Sequence, residues 1–249
     1  MKTANPVLSE ATYEKWTAEA GAGAGVMTVQ GTVYKTLGLV GLVMASFIWT
    51  WMRFAADGRA AVVPFMIGGA IGGLVLALIT VFAAKASPVT APLYALCEGL
   101  FLGGISAILE VKFPGIVFQA AGATVGVFLS MLLLYTSRTI RATPALTRGV
   151  VVATCGIGLL YLISFAMSIF GGAPIPFIHS GGPVGIIFSL VVVGIAAFNL
   201  ILDFDLVEQG AAAQAPKFME WYAGFSLLVT LVWLYFEILR LLAKLRGRD

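Results

Sequence analysis

The chain has 249 residues, of which 60% are hydrophobic and 11% charged, with a mean hydropathy of +0.99. A soluble domain carries roughly 25% charged residues, so this composition leaves no room for a soluble catalytic domain, and a net charge of +3 is too small to imply nucleic acid as a partner. What remains is an all-α integral membrane protein whose first partner is lipid.

Residues 1–32 are polar and rich in Gly and Ala, with no apolar core of the kind a cleavable signal peptide needs, and read as a flexible cytoplasmic tail. The transmembrane domain takes up 33–249. About 20 apolar residues cross a hydrocarbon core, and seven runs qualify: 33–54, 60–84, 92–109, 116–135, 149–170, 183–202 and 222–242. Short connections between them point to one helical bundle. Glycines recur four residues apart, as Gly68 with Gly72, Gly69 with Gly73, Gly99 with Gly103 and Gly122 with Gly126. In lipid such spacing lets backbones approach closely, so the second, third and fourth runs are expected to pack tightly. Cys97 and Cys155 fall inside helices as small hydrophobes, with no metal spacing. The connection "GGAPIPFIHSGGP" holds Pro174, Pro176 and Pro183 and cannot be continuous helix. His179, the only histidine, lies there and makes no metal site alone.

Basic residues report topology. With the amino terminus inside, the inner segments hold Lys2, Lys15, Lys35, Lys85, Arg138, Arg141, Arg148 and Lys217, and the outer loops only Arg53, Arg59 and Lys112. That favours an inside amino terminus. Arg240, Lys244, Arg246 and Arg248 oppose it, since seven crossings would leave them outside.

Steps of three and four along the sixth run give Gly185, Ser189, Val192, Ala196, Asn199 and Asp203; along the seventh they give Ala223, Ser226, Thr230, Trp233, Glu237 and Arg240. Both stripes are polar and should be buried, because an ionised carboxylate at the bilayer centre costs on the order of 2.5–3.5 kcal/mol. Arg240 lies three residues from Glu237 and can neutralise it locally. Glu98, in the third run, has no cation within a turn and must pair across helices, protonate or meet water. The sixth run ends on "NLILDFDLVEQG". Asp203 and Asp205 lie about 200° apart around a helix, so Asp203 continues the inner stripe while Asp205 and Glu208 face cytoplasmic water.

"CEGLFLGGIS", "AAFNLILDFDLVEQG" and "APKFMEWYAGFSLLVTLVWLYFEILRLLAKL" together resemble the Bax-inhibitor/YccA-like, or transmembrane Bax inhibitor motif, family. "NPVL" followed by "MTV" is similar to its bacterial branch, which implies a bacterial cytoplasmic membrane. The resemblance implies a seven-helix bundle with the last helix central. It also implies a pH-sensitive calcium leak, gated by two aspartates that share a proton. Asp203 matches the first, and "LYFE" puts Glu237 at the second. Glu98, Asn199, Ser226, Thr230 and Arg240 would be supporting polar pore residues, with Asp203 and Glu98 as transient Ca²⁺ ligands and no resident cofactor. A second reading is a non-conducting regulator of a membrane protease complex or of a stress response. Enzymatic chemistry finds no purchase: there is no HExxH motif, and no serine or cysteine has a histidine base.

Overall fold

The computed structural model describes residues 25–169 and 181–247. The start of the expected tail, His179 with Pro174 and Pro176, and Arg248 lie outside them. Among the described residues there are six α-helices: α1 (Val29–Phe82), α2 (Ser87–Lys112), α3 (Ile116–Thr136), α4 (Pro144–Ile169), α5 (Pro183–Ala212) and α6 (Met219–Arg246), with one 3-10 turn, Ala84–Ala86, before α2. All six are long and apolar enough to cross a membrane. This is a multi-pass membrane protein.

The expected seven helices are therefore six, because no loop separates the first two runs. Both lie within the 54 residues of α1, and the only non-helical residue between them is Gly58, at φ 77° and ψ −173°. That φ lies in the left-handed region which a side chain disfavours and glycine tolerates. One such residue reverses the chain. Trp49 and Phe65 stack edge to face with ring centroids 4.9 Å apart, whereas sixteen residues of straight helix would separate them by about 24 Å. Helix α1 is thus folded on itself, with arms 29–57 and 59–82.

Both arms pack against α2 through glycines. A Cβ on Gly99 would fall 1.9 Å from Ser46 Oγ, and one on Gly103 would fall 2.5 Å from the Phe47 carbonyl oxygen. The first arm therefore runs parallel to α2. A Cβ on Gly104 would meet Met66, one on Gly69 would lie 2.5 Å from the Cys97 carbonyl oxygen, and one on Gly73 would lie 2.9 Å from Glu98 Oε1, so the second arm runs antiparallel. Close backbone approach is what small residues provide in lipid, where dispersion replaces the hydrophobic drive. Gly122 and Gly126 behave differently: a Cβ on either would meet nothing within 4 Å. The tight packing expected of the fourth run through these glycines is absent, and α3 instead exposes Phe118, Val125, Leu129 and Leu133.

The chain divides into two compact units, one of Met1–Pro114 with Asp203–Val232, the other of Gly115–Leu202 with Trp233–Asp249. Helices α5 and α6 each contribute to both. From Met219 to Lys244, α6 has no exposed residue.

Two expected boundaries move. Helix α1 starts at Val29, four residues before the expected start of the first run, because Thr28 caps it by accepting from Gly31 N at 2.9 Å. Helix α5 does not end near Leu202 but continues to Ala212. Asp203 sits inside that helix. Asp205 and Glu208 are half-buried rather than solvated, and Asp205 accepts from Gln209 Nε2 at 2.5 Å.

Candidate polar gate

The inner stripe of α5 is buried as its spacing requires: Ser189, Val192 and Ala196 are fully enclosed, and Asp203 is 6% exposed. Two hydroxyls of α6 reach this carboxylate. Ser226 Oγ donates to Oδ1 at 2.5 Å, and Thr230 Oγ1 donates to Oδ2 at 2.6 Å. Because Ser226 and Thr230 are four residues apart, they lie one above the other on one helix face, spaced to grip the two oxygens separately. Among the described residues no Lys or Arg pairs with Asp203. Its partners are neutral in either protonation state.

Glu237, in the second unit, has the opposite environment. It is fully buried; Tyr161 Oη donates to its Oε1 at 2.8 Å, and Arg240 Nη2 to its Oε2 at 2.5 Å. Arg240 also donates to Tyr161 Oη and lies over the Tyr161 ring, 4.9 Å from its centroid, adding a cation–π contact. The local neutralisation expected from the three-residue spacing is present. Lys244, one turn further on, is buried too, donating to the Gly185 carbonyl at 3.0 Å and to Ser189 Oγ at 2.8 Å. Arg246 reaches Gln119 Oε1 at 2.8 Å. Three of the four cations that opposed an inside amino terminus thus have partners within the protein and are not a free basic tail.

Among the described residues, the hydrogen-bond partner of Glu98 is Tyr94, one turn earlier on its own helix. The Tyr94 ring lies edge-on to Phe225, with centroids 5.0 Å apart. Asn199 donates to Thr154 Oγ1 at 2.8 Å and to the Ile195 carbonyl at 2.9 Å. Among the described residues no three His, Cys, Asp or Glu side chains gather as a metal cage, so Asp203 and Glu98 belong to no such group.

Sequence reasoning missed Tyr161, Thr154, Lys244 and Glu220. The last is fully buried in the first turn of α6, where its Oε1 accepts from Thr28 N at 3.0 Å, Thr28 Oγ1 at 2.9 Å and Lys217 Nζ at 2.8 Å. A signal for two of them existed. The α6 stripe, extended by one step at each end, reaches Glu220 from Ala223 and Lys244 from Arg240.

Among known families, the model described as Bax inhibitor 1 like matches residues 5–247. No curated protein and no solved structure matches the chain.

Proposed function

The chain belongs to the Bax inhibitor 1 like family, and from that premise we propose that it is a passive, pH-sensitive calcium or cation leak whose gate is the Asp203 carboxylate. The carrying observation is the pairing of a buried acid with two neutral hydroxyls. A cation-held carboxylate stays charged, whereas one held by hydroxyls can gain or lose a proton without stranding an opposite charge. Calcium takes six to eight oxygen ligands. The carboxylate oxygens of Asp203 with Ser226 Oγ and Thr230 Oγ1 supply part of such a shell, suiting an ion that passes with some of its water.

In this reading the two arms of α1 and the five later helices cross the membrane, which gives the seven crossings the resemblance implies, and α6, unexposed from Met219 to Lys244, is the central one. The membrane is the bacterial cytoplasmic one, with the amino terminus inside. The resemblance supplies Glu237 as a second acid that would share a proton, but its Arg240 partner keeps Glu237 charged. In this reading Asp203 is therefore the acid that titrates: as the pH rises it loses its proton and draws cations in, and flux rises with pH.

The test is calcium flux in proteoliposomes of purified protein across about pH 6 to 8, for the wild type, Asp203→Asn, Glu237→Gln and the double variant. A pH-dependent flux is expected that Asp203→Asn flattens and Glu237→Gln leaves in place, with additive effects in the double variant. Non-additive effects would return Glu237 to the gate as a second titrating acid. Identical wild-type and Asp203→Asn profiles would remove Asp203, and no flux at all would move the assignment to the non-conducting regulator of a membrane protease or stress response.

A further inference from the structure

The sequence "MTV" at 27–29 plays no part in the gate, yet the structure places it in an unusually specific contact. Met27 is 2% exposed, and its backbone N donates to the Ala215 carbonyl at 2.7 Å. Val26 pairs with Pro216 in a single antiparallel bridge. Thr28 both caps α1 and donates through Oγ1 and its backbone N to Glu220 Oε1. Lys217 Nζ reaches the same oxygen at 2.8 Å, and Lys35 Nζ lies 3.7 Å from Oε2. Lys35 also sits over the Trp221 ring, 5.2 Å from its centroid. On the other side of the α5–α6 connection, Ser87 Oγ donates to the Phe218 carbonyl at 3.1 Å.

Glycine at position 31 is required by this arrangement, since a Cβ there would fall 2.0 Å from Glu220 Oε1. The buried carboxylate thus occupies the space that a side chain on α1 would fill. A buried charge with three donors on one oxygen and a cation facing the other is a fixed point. Removing it leaves those donors unpaired.

We propose that residues 26–28 and Glu220 form a clasp that ties the amino-terminal entry of α1 to the α5–α6 corner, and that Glu220 is a positioning residue for the gate. Ser226 and Thr230 follow Glu220 on the same helix, so the clasp fixes the register from which their hydroxyls meet Asp203. The functional half of this inference rests on the gate reading above; the clasp itself does not.

The experiment pairs backbone hydrogen exchange with calcium flux on the full chain in proteoliposomes. Three variants are compared: Glu220→Gln, which removes the charge; Gly31→Ala, which keeps every polar group but displaces the carboxylate; and Thr28→Val, with Thr28→Ser as the conservative control. Exchange at 26–28 and 213–218 is expected to rise together by about ten- to a hundredfold in the first two, the scale of a lost charged hydrogen bond. Thr28→Ser should restore protection that Thr28→Val loses. Unchanged exchange in both Glu220→Gln and Gly31→Ala overturns the clasp. Raised exchange with the wild-type flux and pH profile overturns the positioning role and leaves the clasp. If Asp203→Asn leaves flux unchanged while these exchange effects appear, the gate reading has failed and the clasp has not.

Discussion

Asp203 and Glu237 are both buried acids in an apolar chain, yet their neighbourhoods solve the cost of burial in opposite ways. Asp203 is held by two hydroxyls of α6 and no cation among the described residues, whereas Glu237 is held by Arg240 and Tyr161. A charge balanced by a fixed cation is a structural element, because removing either partner strands the other. A charge balanced only by hydroxyls is a variable, since hydroxyls donate to a carboxylate and accept from a carboxylic acid by rotating. The difference teaches that burial alone does not make an acid free to titrate; the kind of partner does.

The sharpest way to break this contrast is Arg240→Gln. It is expected to cost about 3–5 kcal/mol, the penalty for stranding a buried charge, read as a lower unfolding midpoint in detergent. Most of the loss should return in Glu237→Gln/Arg240→Gln. A variant as stable as the wild type would mean that Glu237 does not need its cation, and the two acids would no longer differ. Next in size is Asp203→Asn, which keeps the shape and lets both hydroxyls rotate to new partners. Its stability loss should stay within about 0.5–1.5 kcal/mol, while the pH response of flux is lost. A loss as large as that of Arg240→Gln would make Asp203 structural as well. The smallest effect is expected of Thr230→Val, where one hydroxyl is replaced by a methyl group of similar size. Interhelical hydrogen bonds in membranes average about 0.6 kcal/mol, so the unfolding midpoint should barely move. Flux should nevertheless change, because Oδ2 has lost its donor. Wild-type flux in this variant would show that Thr230 does not hold the gate.

Much of this was legible from residue spacing, and the failures have physical causes. The apolar runs located the spans because hydrocarbon thickness sets their length, and the two polar stripes located Asp203, Ser226, Thr230 and Glu237 because burial forces polar residues onto one face. Asp205 and Glu208 read as a solvated helix end, but α5 continues to Ala212 and both are half-buried. Asp203 takes its donors from Ser226 and Thr230, which no local window contains, whereas Asp205 takes Gln209, one turn on. The break between the first two runs was legible in the polar stretch 53–59, but not that Gly58 alone makes it, with helix up to residue 57 and again from 59. Four-residue glycine spacing identified a face but not its neighbour. It was right at Gly69, Gly72, Gly73, Gly99 and Gly103 and wrong at Gly68, Gly122 and Gly126, which meet open space. Glu220 was lost because the last run was started at Tyr222, one step short of it.

The one-residue reversal at Gly58 also constrains how the protein enters its membrane. On the seven-crossing reading, with no loop between the arms 29–57 and 59–82, the two are expected to insert together as a single helical hairpin. In the orientation with the amino terminus inside, that hairpin carries its tip across the bilayer, and the tip bears Arg53, Asp57 and Arg59. Each unpaired charge would add on the order of 2.5–3.5 kcal/mol to the crossing. Arg53 and Asp57 lie one turn apart and are paired at 2.9 Å, so the leading edge travels with one net charge in place of three separate ones. The same pair that does little for a finished, exposed surface would, in that orientation, lower the barrier during biogenesis.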